Sequence, residues 1–205
     1  MKINLKQLCR KNSELLPLNG NDKFFIKDPT METSSWCRPW FENYEGYADH
    51  YAEAAEQLYK STTNNTRKKD SLVYPIMFLS RHSVELRLKS ILHKLYILHK
   101  QNGSDMEKSS LNGHNLECLW NAIDKLYNGE KNGIYILAGE RITELNQYDS
   151  KSDTFRYHIH KNNSSTAHGK FVDIDAFMNT YRKLNAFLEG IEAELQETSD
   201  ASLNQ

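Results

Sequence analysis

The stretch that most constrains the fold is Ser71 to Lys100, SLVYPIMFLSRHSVELRLKSILHKLYILHK. Ile76, Leu79, Val84, Leu88, Ile91, Leu92 and Leu95 recur mostly three and four residues apart, so they line one face of a long helix. Asp70 or Ser71 is placed to cap it, and Pro75 then falls in or near the first turn, where a missing N–H costs little. Arg81, Glu85 and Lys89 follow at steps of four and so form one stripe able to pair as Arg–Glu–Lys. His82, Arg87, His93 and Lys94 flank it.

Charge sharpens the picture. Residues 67–100 carry eight Lys and Arg against two acids, a local charge of +6, whereas the 205-residue chain sums to −1. Such a helix either pairs with acidic elements of the same fold or meets an anionic ligand. A charged stripe is ordinarily a solvated face or an internal ion network. The last helical pattern supplies the acidic neighbour: residues 172–200 hold seven acids and two bases, a local −5. There Ile174, Phe177, Tyr181, Leu184, Leu188, Ile191 and Leu195 form a heptad-like seam suited to bundle packing or to a dimer interface.

The remaining segments read in order. Residues 1–35 form an irregular arm with turn signals at LNGND and KDPT. Trp40, Phe41, Tyr44, Tyr47, Tyr51 and Leu58 make an aromatic stripe on a first helix over roughly 39–60, expected to face the core. STTNNTRKKD breaks that helix as a polar loop. After the central helix comes the loop QNGSDMEKSSLNG, then a third helix with Leu116, Leu119, Trp120, Ile123 and Leu126 inward and His114 or Asn115 near its cap. A fourth runs from about Gly133 to Gln147 with Ile134, Leu137, Ile142 and Leu145 inward. The domain boundaries are an arm at 1–35, a helical bundle at 36–198 and a tail at 199–205.

Between the fourth and last helices, Phe155, Tyr157 and Ile159 alternate with Arg156, His158 and His160. A period of two predicts a strand with one cationic face, returning near Lys170 as a small hairpin. Arginine offers bidentate donors and histidine titrates near neutrality, so this face suits phosphates or carboxylates. His158 and His160, with His168 and Asp153, are the nearest approach to a metal set, but no complete ligand group is spaced for one and no metal or cofactor is expected. Cys9, Cys37 and Cys118 are few, odd in number and far apart, which fits free thiols in a reducing cytoplasm. No apolar run reaches membrane-spanning length, and no leader or glycine-rich phosphate loop is evident.

YPIMFLSRHSVELRLKSIL, followed by GHNLECLW and then FRYHIH before a last long helix, resembles the HEPN superfamily of helical nucleotide- and RNA-associated domains, and within it an uncharacterised bacterial group. The resemblance covers roughly Tyr44 to Leu195. It implies an all-α, up-and-down bundle of four to five helices, a homodimer, and action on RNA or nucleotides. Among the implied activities is metal-independent ribonuclease action of toxin or defence type, with an antitoxin or nucleotidyltransferase-like protein as partner. Catalytic members carry an arginine and a histidine four to six residues apart near the start of the last helix. Arg156 and His160 lie in that region with only three residues between them; Arg87 and His93 have five between them but fall on different faces of the central helix. The candidate site is therefore Arg156 and His160 for chemistry, with Arg81, His82, Glu85, Lys89, His114 and His158 for binding. The competing reading is a non-enzymatic dimeric interaction module in which Arg81, Glu85 and Lys89 form a structural ion network.

Overall fold

A computed structural model describes residues 43–101, 111–157 and 171–203. Among these residues five helices follow one another: α1 Tyr44–Ser61, α2 Thr66–Gln101, α3 Leu116–Leu126, α4 Gly133–Tyr148 and α5 Ile174–Leu203. Among the described residues there is no strand. The arm at 1–35, Cys9 and Cys37 lie outside the described residues.

α2 is the axis. It spans 36 residues, about 54 Å at the usual rise. It begins at Thr66 rather than Ser71, because Asn65 caps it: the Lys68 N–H donates to Asn65 Oδ1 at 3.0 Å. Asn64, at φ 58°, turns the chain immediately before the cap, a conformation asparagine tolerates better than most residues. Residues 62–65 are therefore the whole connection from α1, and Arg67–Lys69 belong to the helix. Pro75 consequently sits inside α2 and not in its first turn.

α1 packs along α2 with small residues on its innermost line and its rings to either side. Ala48 and Ala55, one heptad apart, are the fully buried residues of α1. Tyr44 and Tyr51 are half-buried and Tyr47 is 42% exposed. Small residues on the inner line let two helices approach closely, and the rings are displaced to the flanks.

The core is one cluster in which Ile76, Val84, Leu88, Ile91 and Leu92 of α2 meet Leu116, Leu119 and Ile123 of α3, Ile142 of α4 and Met178, Leu188 and Ile191 of α5. The α5 seam faces inward as its spacing predicts, with Met178 buried beside it and Phe177 only half-buried. The helix continues to Leu203, so residues 199–203 extend it instead of forming a tail.

α4 is rotated from the expected phase. Tyr135, Ala138, Ile142 and Asn146 are buried, whereas Ile134 and Leu137 are 62% and 55% exposed. The cause is aromatic. Tyr135 stacks on Tyr127 at 5.5 Å, lies 4.7 Å from Trp120, and donates its hydroxyl to Asp124. One large ring with a satisfied hydroxyl takes the inward position that the aliphatic residues were expected to fill.

Candidate functional site

The Arg81–Glu85–Lys89 stripe lies in the interior. Arg81 is fully buried and all its donor directions are engaged: Nε donates to the Asp149 carbonyl at 2.9 Å, one terminal nitrogen to Glu85 at 2.8 Å, the other to the His114 carbonyl at 2.6 Å. Glu85 also accepts from Lys89 Nζ at 2.9 Å and lies 2.8 Å from His114 Nδ1. Burial pushes the Glu85 carboxyl up, but its hydrogen bonds with Lys89, Arg81 and His114 outweigh burial and hold it below its ordinary value. His114 is the only exposed member. Asn115, not His114, caps α3, accepting from the Cys118 N–H.

Through Arg81 this network holds the turn that follows α4. Asp149 is the C-cap of α4. Its Oδ1 accepts from the N–H groups of Asp153 and Thr154 at 2.8 and 3.0 Å, and its Oδ2 lies 3.4 Å from Arg81 Nε. The same carboxylate thus curls residues 149–157. The Arg156 and Tyr157 N–H groups both return to the Asp153 carbonyl. Phe155 and Arg156 are accordingly in a turn and not a strand, and their alternation of buried and exposed arises from that turn. His158, His160, His168 and the return at Lys170 lie outside the described residues.

The turn delivers Arg156 to the outer side of α2. Its Nε donates to the Ser152 carbonyl. Its guanidinium sits 5.7 Å from the Phe78 ring centroid and 5.5 Å from that of Tyr157, a cation–π arrangement. Phe78 and His82, one turn apart, stack with centroids at 5.7 Å and an 11° interplanar angle; Tyr51 of α1 meets His82 edge-on at 4.5 Å. Arg156 and Tyr157 are exposed, Phe78 and His82 half-buried. Burial lowers the His82 pKa; Glu85 pulls it up, and the charges of Arg81, Lys89 and Arg156 push it down again. The imidazole is therefore held neutral beside a guanidinium.

Of the residues named from sequence, Arg156 and His82 are brought to one surface through Phe78. Arg81, Glu85 and Lys89 lie beneath it as a scaffold, with His114 at its edge. Phe78, Tyr157 and Asp149 were missed. The Phe78–His82 spacing of four was the available signal for the first; nothing local marked the third as the organiser of a turn.

Arg87, read as a flank residue, is a second centre. It is 2% exposed and donates to Glu192 at 2.6 Å, Asp49 at 2.6 Å and Glu189 at 3.0 Å, tying α2 to α1 and α5. His93, its partner in the alternative Arg–His spacing, instead edges Tyr44 at 6.5 Å. Among the described residues no group of three His, Cys, Asp or Glu is placed to hold a metal ion, and no helix is long and apolar enough to cross a membrane.

No family model matches the chain, and no curated protein or solved structure matches it either.

Proposed function

We propose that the chain is a HEPN-like helical domain, acting as a homodimer, that binds RNA or a nucleotide on the surface formed by Arg156, Tyr157, Phe78 and His82. The observation that carries this reading is the exposed guanidinium of Arg156 laid between two aromatic rings, with a neutral imidazole stacked on one of them. Single-stranded nucleic acid is recognised by such a combination: cations meet phosphates and rings stack on bases.

The same groups suit strand cleavage without a metal. A neutral histidine accepts the proton of a ribose 2′-hydroxyl as that oxygen attacks the adjacent phosphate, and arginine holds the charge of the phosphorane; the P–O5′ bond then breaks, leaving a 2′,3′-cyclic phosphate, and the departing 5′-oxygen takes a proton from the imidazolium or from water. Among the described residues His82 is the imidazole that packs beside the ring under Arg156 and can act as the base; His160, the base expected from sequence, lies outside them. The nearby ion network positions Arg156 without touching ligand.

The test is titration of a labelled single-stranded RNA against the full chain at several salt concentrations. For single strands the salt slope falls by about 0.7 for each phosphate contact removed, so Arg156→Ala should lose about that much slope along with affinity. Unchanged RNA affinity in Arg156→Ala would refute the site. The same samples, incubated with chelator, report cleavage; cleavage that survives chelator and disappears in His82→Ala supports the ribonuclease form.

One observation favours the reading as an interaction module. Ile134, Ile136 and Leu137 expose apolar side chains together at the start of α4, which suits a protein partner, whether a second copy or an antitoxin or nucleotidyltransferase-like protein. Absence of RNA binding by the wild-type chain moves the conclusion there.

A further inference from the structure

Apart from the Arg156 surface, a cavity of about 300 Å³ opens between α4 and α5, over Met77 of α2. Five aromatic residues line it: Tyr148, Phe155, Phe171, Phe177 and Tyr181. Its volume matches the lower end of small-molecule sites, which are mostly apolar with a few polar groups at the rim. The rim is charged, and its balance is informative. Arg141 lines the mouth but is held by Glu144 at 2.7 Å and Glu140 at 3.3 Å. Glu144 and Asp173 line the same mouth. Among the lining residues one guanidinium stands against Glu144 and Asp173, which leaves a formal −1 around an aromatic-lined cavity with Phe171 exposed at its edge.

Aromatic faces attract cations through the ring quadrupole, most strongly where water is excluded, and rim carboxylates add to that attraction. An anionic ligand meets its own sign at the entrance and is repelled, and a neutral apolar one gains nothing from it. We propose that this cavity binds a hydrophobic ammonium, a small organic cation with an apolar body. The cation sits among the rings and the rim carboxylates offset its charge. This function is separate from RNA binding: Arg156 does not line the cavity.

The experiment is an NMR titration of the full-length protein carrying isotope-labelled methionine methyl groups, with the Met77 methyl as the local reporter. The probes are benzyltrimethylammonium, its neutral isostere neopentylbenzene, and phenylacetate. The cation should give a saturable Met77 shift with a Kd on the order of tenfold lower than the isostere, and phenylacetate should bind more weakly than both. A Glu144→Gln/Asp173→Asn double variant, which keeps shape and the cap of α5, should bring the cation-to-isostere ratio close to one. Arg156→Ala should leave the ratio as in the wild type. No saturable Met77 shift, an isostere or phenylacetate that binds as tightly as the cation, or a ratio indifferent to the double variant would each overturn the proposal. The wild-type comparison of three probes stands even where a variant fails to fold.

Discussion

At the scale of single residues, the decisive fact is where charge is kept. Glu85 is 1% exposed at its side chain and joins Arg81, Lys89 and His114. Removing it breaks the buried pairs with Arg81 and Lys89 and leaves the guanidinium with only the more distant Asp149 carboxylate as counter-charge, a loss that commonly costs about 3–5 kcal/mol. Glu85→Ala should therefore shift the denaturant midpoint strongly, whereas Arg141→Ala, which breaks exposed pairs with Glu140 and Glu144, should change stability by less than about 1 kcal/mol. A small effect of Glu85→Ala would show that the network is dispensable. His82 gives a pH signature with a definite sign. Its folded pKa lies below the ordinary 6.5, so between those two values the unfolded chain binds more protons and stability falls as pH drops below about 6.5. Denaturation at a series of pH values should show this loss in the wild type and a smaller one in His82→Gln. The Arg–Glu–Lys pairing was legible from spacing alone. Its burial was not, because the groups that enclose it, His114 and Asp149, come from loops that no periodicity marks.

At the scale of elements, helix existence was readable and helix rotation was not. The α5 seam is apolar and regular, so only one face could turn inward. α4 was expected to turn Ile134, Leu137, Ile142 and Leu145 inward; Ile142 is buried as expected, but Tyr135 and Ala138 are buried in place of Ile134 and Leu137, and that phase rests on rings contributed by α3 and the segment after it. Gly139 records that phase: a Cβ there would lie 2.6 Å from Trp120 Nε1. Gly139→Ala should destabilise the protein by about 1–3 kcal/mol as the indole is forced to move. Gly190, in the body of α5, has nothing within 4 Å of the same position, and Gly190→Ala should stabilise by about 0.5–1 kcal/mol through helix propensity. Thermal unfolding of the two variants side by side checks both signs, and equal effects would contradict the rotation of α4 described above. The start of α2 was misplaced for a related reason. Asn64 and Asn65 form a turn and a cap within two residues, and the basic run after them was read as loop when it is the first turn of the helix.

At the scale of the whole molecule, the opposed charges of the two long helices proved to be an assembly code. Lys69 pairs with Asp175 at 2.8 Å and Arg87 with Glu189 and Glu192, so two of the eight cations on α2 are met by α5, while Arg81 and Lys89 are met by Glu85 of α2 itself. α1 contributes as well, through Asp49 to Arg87 and Glu45 to Lys94. What the overall charge balance could not indicate is where Arg156 lies. That depends on the turn held by Asp149, which presents Arg156 on the outer side of α2, and on the placement of Phe78 beneath it.

The order of these partners along the chain bears on how the protein is made. Glu85 is available to both Arg81 and Lys89 within about one helical turn, but His114 follows 29 residues after Glu85, Asp149 68 residues after Arg81, and Glu192 105 residues after Arg87. During synthesis the α1–α2 hairpin therefore emerges with its charged stripe still facing water, and with α5, which covers its apolar side, not yet made. The stripe that ends as interior scaffold first keeps a long, half-apolar helix dissolved until the acidic helix arrives to enclose it.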